Sequence, residues 1–191
     1  MTVVLPETLG VDVPAAERAA AEFLAALGLV APADTPGRMA RAYAELLSPR
    51  AFDLTTFPND EGYDELVLAR DIPVRSVCEH HMLPFVGVAH VGYLPGARIL
   101  GLSKLARVVE RHAHRPQVQE RLTTQVADWL HAHLRPRGVG VVVEAEHLCM
   151  TLRGVRAGGT STITSSVRGA VRDDPRSRAE FLALTTGGRR G

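Results

Sequence analysis

Two hydrophobic spacings divide this chain. From Val13 to Leu29 apolar residues recur at helical intervals, with Ala16, Ala20, Phe23, Leu24 and Leu27 on one stripe and Gly28 near its end. A second helix is expected to open at Thr35-Pro36, where Thr35 can cap and Pro36 suits the first helical position. It runs through Met39, Tyr43, Leu46 and Leu47 and stops before Pro49. Residues 49–62, rich in Pro, Asp, Thr and Asn, read as an irregular connection.

Beyond that connection the pattern changes to strands. Leu66–Ala69, Ile72–Val77 and Phe85–Tyr93 read as strands; Leu94-Pro-Gly-Ala makes a turn, and Ile99–Leu102 brings the chain back. Ser103 is expected to cap a helix reaching His112, and Pro116 to start another that continues to Leu134. In the latter, Val118, Leu122, Val126, Trp129 and Leu130 form the apolar stripe. Val139–His147 and the β-branched Thr160–Val167 are two further strands, and Asp174-Pro175 opens a last helix through Phe181 and Leu184. A helix pair followed by a mostly antiparallel sheet with a second helix pair inserted predicts an α+β fold with helices on one face. The expected division is a flexible N-terminus (1–11), an N-terminal helical region (12–62), a main α+β domain (63–186) and a flexible tail (187–191).

Composition narrows the function. The chain has 191 residues, of which 46% are hydrophobic and 23% charged, the mix of a globular domain with its own core. Its 22 Lys+Arg against 21 Asp+Glu give a net charge of +1, which disfavours a partner that is a nucleic-acid backbone. Any anion site must be a local cluster. No apolar run approaches the roughly 20 residues of a membrane span, and the start shows no basic region followed by an apolar one. Two cysteines are too few for a disulfide-stapled scaffold. The reading is a soluble, cytoplasmic protein without membrane or nucleic-acid partners.

The densest chemistry is Cys78-Glu79-His80-His81. Cys-x-x-His offers a thiolate and an imidazole from one turn, the ligand types zinc prefers, and Cys149 supplies a third at the end of a later strand. Two sulfurs and one imidazole leave a tetrahedral position open, as in catalytic rather than structural zinc sites. His80 and His147 remain over, equally at home as proton shuttles or as structural histidines. His112, His114, His131 and His133 are expected to be solvated. Ser103-Lys104-Leu-Ala-Arg107 places two cations on one side of a helix's first turn, either an ordinary capped surface helix or a phosphate site. Glu120 points away from its helix's apolar stripe and could accept paired N–H groups from a guanine-type edge, or be merely solvated. Arg153 and Arg38 carry no signal singly, but with Lys104 and Arg107 they would make the positive cluster a polyanionic substrate requires.

Taken together, Cys-Glu-His-His-Met-Leu-Pro-Phe (78–85), Gly-Leu-Ser-Lys-Leu-Ala-Arg (101–107), Arg-Pro-Gln-Val-Gln-Glu-Arg-Leu (115–122) and Glu-His-Leu-Cys-Met-Thr-Leu-Arg-Gly-Val (146–155) closely resemble the GTP cyclohydrolase I family. The resemblance covers about Thr35 to Leu184, with the four motifs in the family's order. It implies hydrolytic opening of the guanine imidazole ring of GTP, loss of C8 as formate, and rearrangement to 7,8-dihydroneopterin triphosphate, the first step towards folate and pterins. It also implies that Cys78, His81 and Cys149 hold zinc, and that His147 protonates N7 while water activated by the metal adds at C8. His80 would assist at the ribose oxygen. Glu120, with Gln119 adjacent, would anchor the guanine, and Ser103, Lys104, Arg107, Arg153 and Arg38 would grip the triphosphate and ribose, Ser103 also serving the later rearrangement.

The implied architecture is the tunnelling fold (T-fold): an antiparallel sheet with helices on one face, five subunits closing a barrel, and two pentamers stacked as a homodecamer with active sites between neighbours. The loop 156–160 is richer in glycine than the family's usual lysine/proline version. Two alternatives make different products. A relative that stops early would yield a cyclic phosphate or formamide, and a non-catalytic nucleotide-binding oligomer would release no formate.

Overall fold

The computed structural model describes residues 10–186. Its elements run α1 (Val13–Ala26), α2 (Thr35–Leu46), β1 (Thr56–Pro58), β2 (Val67–Cys78), β3 (Pro84–Leu94), β4 (Arg98–Leu100) and α3 (Ser103–Ala113). They continue with β5 (Pro116–Gln117), α4 (Gln119–Leu134), β6 (Gly138–His147), α5 (Leu148–Thr151), β7 (Thr162–Gly169), α6 (Ala170–Asp173) and α7 (Pro175–Thr186). The flexible ends expected at 1–11 and 187–191 lie, apart from residues 10 and 11, outside the described residues.

The α+β class is as expected. Five strands form one sheet in the order β5-β2-β3-β6-β7, antiparallel except where β5 joins β2 in parallel. Strand alternation turns Val139, Val141, Val143 and Ala145 of β6, with Ala89, Val91 and Tyr93 of β3, to one face. There they meet Leu105, Val108 and Val109 of α3 and Leu122, Val126 and Leu130 of α4 in the main core. Each aliphatic side chain buried this way contributes roughly 1.5–3 kcal/mol before entropy is counted. On the opposite face Gly92 and Gly140 pair across β3 and β6, and the ring of Phe181 from α7 lies on both.

Several local expectations are corrected. Asp34, not Thr35, is the N-cap residue of α2, and Leu102, not Ser103, that of α3; neither makes a side-chain capping bond. Pro116 begins no helix: the residue before a proline is pushed towards extended backbone, and Pro116–Gln117 pairs with Val77–Cys78 before α4 starts at Gln119. The connection 49–62 contains β1, three residues paired with β4, too short for alternation to reveal. The two expected strands at 66–77 are one strand, β2, whose register shifts between Ala69 and Ile72 where Asp71 adopts φ 54°.

Two of the four histidines expected in solvent differ. His112 is largely buried, and His114 has its Nδ1 buried. The α1 stripe is also less covered than its pattern suggests: no α1 residue is buried, and Phe23 and Leu27 are 58% and 57% exposed. No helix among the described residues is long and apolar enough to cross a membrane.

Candidate active site

Sheet order brings the two distant cysteines together. β2 and β6 flank β3 and run the same way, so Cys78 at the end of β2 and Cys149 in α5, just past β6, stand at the same end of the sheet's strands. A tight turn follows Cys78: the Cys78 N–H donates to the Leu83 carbonyl at 2.9 Å and the Met82 N–H to the Cys78 carbonyl at 2.8 Å. Met82 takes φ 52° there, and its carbonyl accepts from Tyr43 Oη of α2 at 2.9 Å. The turn carries His81 back over the strand end. One donor atom each from Cys78, His81 and Cys149 lies within 4.8 Å of the others.

This donor set fits a divalent ion of zinc's kind. Both cysteines are free thiols. Burial pushes the Cys149 thiol up, and the neighbouring Cys78 sulfur adds to it. A cation bound between the sulfurs would invert that preference at Cys149, because a coordinating thiol is deprotonated. Arg153 donates to His81 Nε2 at 3.3 Å from the turn after α5, reaching the rim of the cluster.

A pocket of about 290 Å³ opens beside the three donors, lined also by His80, Gln119, Glu120 and His147. Gln119 is 2% exposed, and its amide nitrogen faces the Val143 carbonyl at 3.0 Å, the Thr162 carbonyl at 2.9 Å and Thr164 Oγ1 at 3.2 Å. Carbonyls only accept, so the amide oxygen is the end turned to His147, whose Nε2 lies 2.7 Å away. The imidazole must donate there, which leaves Nδ1 as the nitrogen free to exchange a proton. Burial lowers the pKa of His147, opposed by the charge of Glu120. Glu120 itself is exposed at the start of α4, turned away from the core.

The remaining candidates lie elsewhere in the chain. Ser103, Lys104 and Arg107 occupy the first turns of α3 and do not line this pocket; Arg107 is paired with Glu110 at 3.3 Å. Arg38, exposed on α2, is paired with Asp34. Glu79 and Arg121 escaped the sequence reading. They form an ion pair between the Cys78–His81 turn and α4, and that bond holds the Glu79 carboxyl below its usual range. The two are 42 positions apart, so no local spacing could signal the pair.

Comparison with known proteins decides the family. The family model described as GTP cyclohydrolase I matches residues 16–186. The chain belongs to the GTP cyclohydrolase I family. A member named GTP cyclohydrolase 1 from Thermobifida fusca is 54% identical over 189 residues, covering 94% of this chain and 91% of that protein. Another of that name from Streptomyces avermitilis is 55% identical over 182 residues, covering 91% and 90%. Among solved structures, the archaeosine synthase QueF-Like in its apo form aligns with a TM-score of 0.44 at 20% identity, over 55% of this chain and 93% of that one. The family consists of hydrolases that stand at the first step of pterin and folate biosynthesis.

Proposed function

We propose that this pocket takes the guanine end of GTP and opens its imidazole ring, with Cys78, His81 and Cys149 holding zinc. C8 leaves as formate and the remainder rearranges to 7,8-dihydroneopterin triphosphate. The observation that carries the reading is the meeting of a Cys₂His donor set with His147 and Glu120 on one pocket wall. When bound, zinc supplies Lewis acidity and acidifies water near neutral pH.

The chain's own residues do the rest. Glu120 accepts N–H groups from the guanine edge and so fixes where C8 lies. His147 exchanges its proton at Nδ1, since Nε2–H is committed to Gln119. That makes Gln119 a positioning residue for His147, although it stands beside the base-anchoring glutamate. His80, with its side chain 64% exposed at the pocket's mouth, assists at the ribose oxygen and in later proton transfers. Arg153 extends the positive lining towards the phosphates.

Ser103, Lys104, Arg107 and Arg38 complete the triphosphate grip from a neighbouring copy, with Ser103 also serving the later rearrangement. Their absence from the pocket wall of a single chain supports sites shared between subunits of a homodecamer built from two pentamers. So do the outer edge of β7, at the end of the sheet order, and the uncovered stripe of α1, both suited to pairing between copies. Within each copy, 63–186 forms the tunnelling-fold catalytic part and 12–62 the helical region. Two free thiols suit a reducing compartment, in keeping with the cytoplasm.

The test is incubation of zinc-loaded protein with GTP and identification of every product. Formate and 7,8-dihydroneopterin triphosphate are expected. A cyclic phosphate, a formamide, or bound nucleotide without formate would overturn the reading.

A further inference from the structure

The turn that carries two of the metal donors is gripped from outside the donor set. Glu79, between Cys78 and His81, gives its carboxylate to Arg121 in α4. Arg121 is fixed at two further points: Nε donates to Gln117 Oε1 at 2.9 Å, and Nη2 to the Pro116 carbonyl at 3.2 Å. Gln117 is fully buried, and its amide nitrogen donates to the His112 carbonyl and to Gln125 Oε1, each at 2.8 Å. The main chain repeats the link, with the Glu79 N–H donating to the Gln117 carbonyl at 3.0 Å. The end of α3, the β5 segment and α4 thus converge on one carboxylate within the metal turn.

As an ion pair this contact is worth little. The two side chains are 32% and 40% exposed, and solvent screens the attraction between them. Its value is geometric. Three acceptors on one planar guanidinium fix its plane, and a carboxylate bound to that plane fixes the peptide that bears it. Cys78 and His81 then keep their convergence without having to be ordered when an ion arrives, which is where preorganisation adds affinity.

We propose that Glu79 and Arg121 are a positioning pair that presets the Cys78–His81 turn for the metal and locks it to the helix bearing Glu120. The proposal rests on the metal reading given above. Its test is zinc(II) affinity of the full chain, by competition with a chromogenic chelator, alongside thermal unfolding of the metal-free forms. Glu79→Gln, Arg121→Met and Arg121→Lys are each expected to bind zinc at least tenfold more weakly, a scale common for groups that orient metal ligands. Arg121→Lys keeps the charge but loses the fork, so its failure to restore affinity separates geometry from charge. The double variant Glu79→Gln/Arg121→Met is expected to bind no more weakly than either single one, and metal-free unfolding midpoints should shift by only a few degrees.

Zinc affinity unchanged or tighter in Glu79→Gln overturns the proposal, as do fully additive losses. Should Arg121→Met fail to fold, Glu79→Gln decides alone, because it keeps the size of the side chain while removing the charge that strengthens and orients the bond to Arg121. A wild-type chain that retains no zinc instead overturns the metal reading, and the proposal falls with it.

Discussion

Phe85 and His147 are cross-strand partners on β3 and β6, and their rings stack with centroids 4.5 Å apart and planes 12° from parallel. Phe85 is fully buried, so the imidazole rests on a fixed platform. Stacking sets the plane of the His147 ring, and the bond to Gln119 sets its rotation within that plane.

Removing the second constraint should therefore cost catalysis more than binding. Gln119→Met keeps the length of the side chain but leaves His147 Nε2 without its acceptor and removes the amide that donates to the Val143 and Thr162 carbonyls. A buried polar group left unpaired costs about 1–3 kcal/mol, which corresponds to roughly a 10–100-fold loss if it falls on the transition state. The expected outcome is a fall in kcat of that order, KM for GTP within a few-fold and zinc content unchanged, read from steady-state kinetics and metal analysis. A kcat equal to wild type would remove Gln119 from the proposed proton path.

Cys149→Ala tests the donor set. Cys78 and His81 share one turn and cannot complete a tetrahedral site between them, so the variant should lose zinc during dialysis and turn over GTP at background. Chelator treatment of the wild type should do the same, and added zinc should restore it. Activity surviving in the alanine variant would show that the three-donor assignment is wrong.

The contact between Phe181 and Gly140 makes a prediction about the fold. A β-carbon at Gly140 would stand 2.6 Å from Phe181 Cε1 and 2.7 Å from Cζ, closer than real contacts allow. Phe181 is itself fully buried against Val171 and Leu94 and has little room to retreat. Gly140→Ala should lower unfolding stability by about 1–3 kcal/mol, measured by urea denaturation, and Gly140→Ala/Phe181→Leu should recover part of it. A neutral Gly140→Ala would mean that α7 is not seated on the sheet.

What the sequence disclosed, and what it did not, follows from the range of each interaction. Cys-x-x-His is legible because one turn supplies two donors, and Cys149 because it ends a recognisable strand. The α4 stripe of Leu122, Val126, Trp129 and Leu130 is legible because helical period and burial coincide. Glu79–Arg121 and Tyr43–Met82 are bonds between elements far apart in sequence, and nothing local to either partner announces them. β1 and β5 have three and two residues, below the length at which alternation carries information. The burial of Gln119 is illegible for another reason: its acceptors on β6 and β7 and its contact with His147 exist only once the sheet has closed over the start of α4.

His112 gives the pH dependence of stability its window. Burial is the main cause of its depressed pKa, about 4 against an ordinary 6.5, with the charges of Arg115 and Arg111 and the nearby His133 acting in the same direction and Gln125 opposing them. A histidine that is harder to protonate when folded binds more protons when unfolded, so unfolding is favoured as acid is added. Its neutral form is compatible with full stability above about pH 6.5, and stability falls as pH drops from there towards 4, levelling off below. Over that span the loss is about 3 kcal/mol, from about 1.4 kcal/mol per pKa unit. Carboxylates with depressed values, such as Glu79, Glu110 and Asp174, lose their stabilisation mainly below this range, from their ordinary values near 4 downwards. Urea unfolding at intervals from pH 8 to 4 should therefore show a steeper slope between 6.5 and 4 in the wild type than in His112→Gln, which cannot charge. Parallel slopes in the two proteins would place the acid sensitivity on other groups.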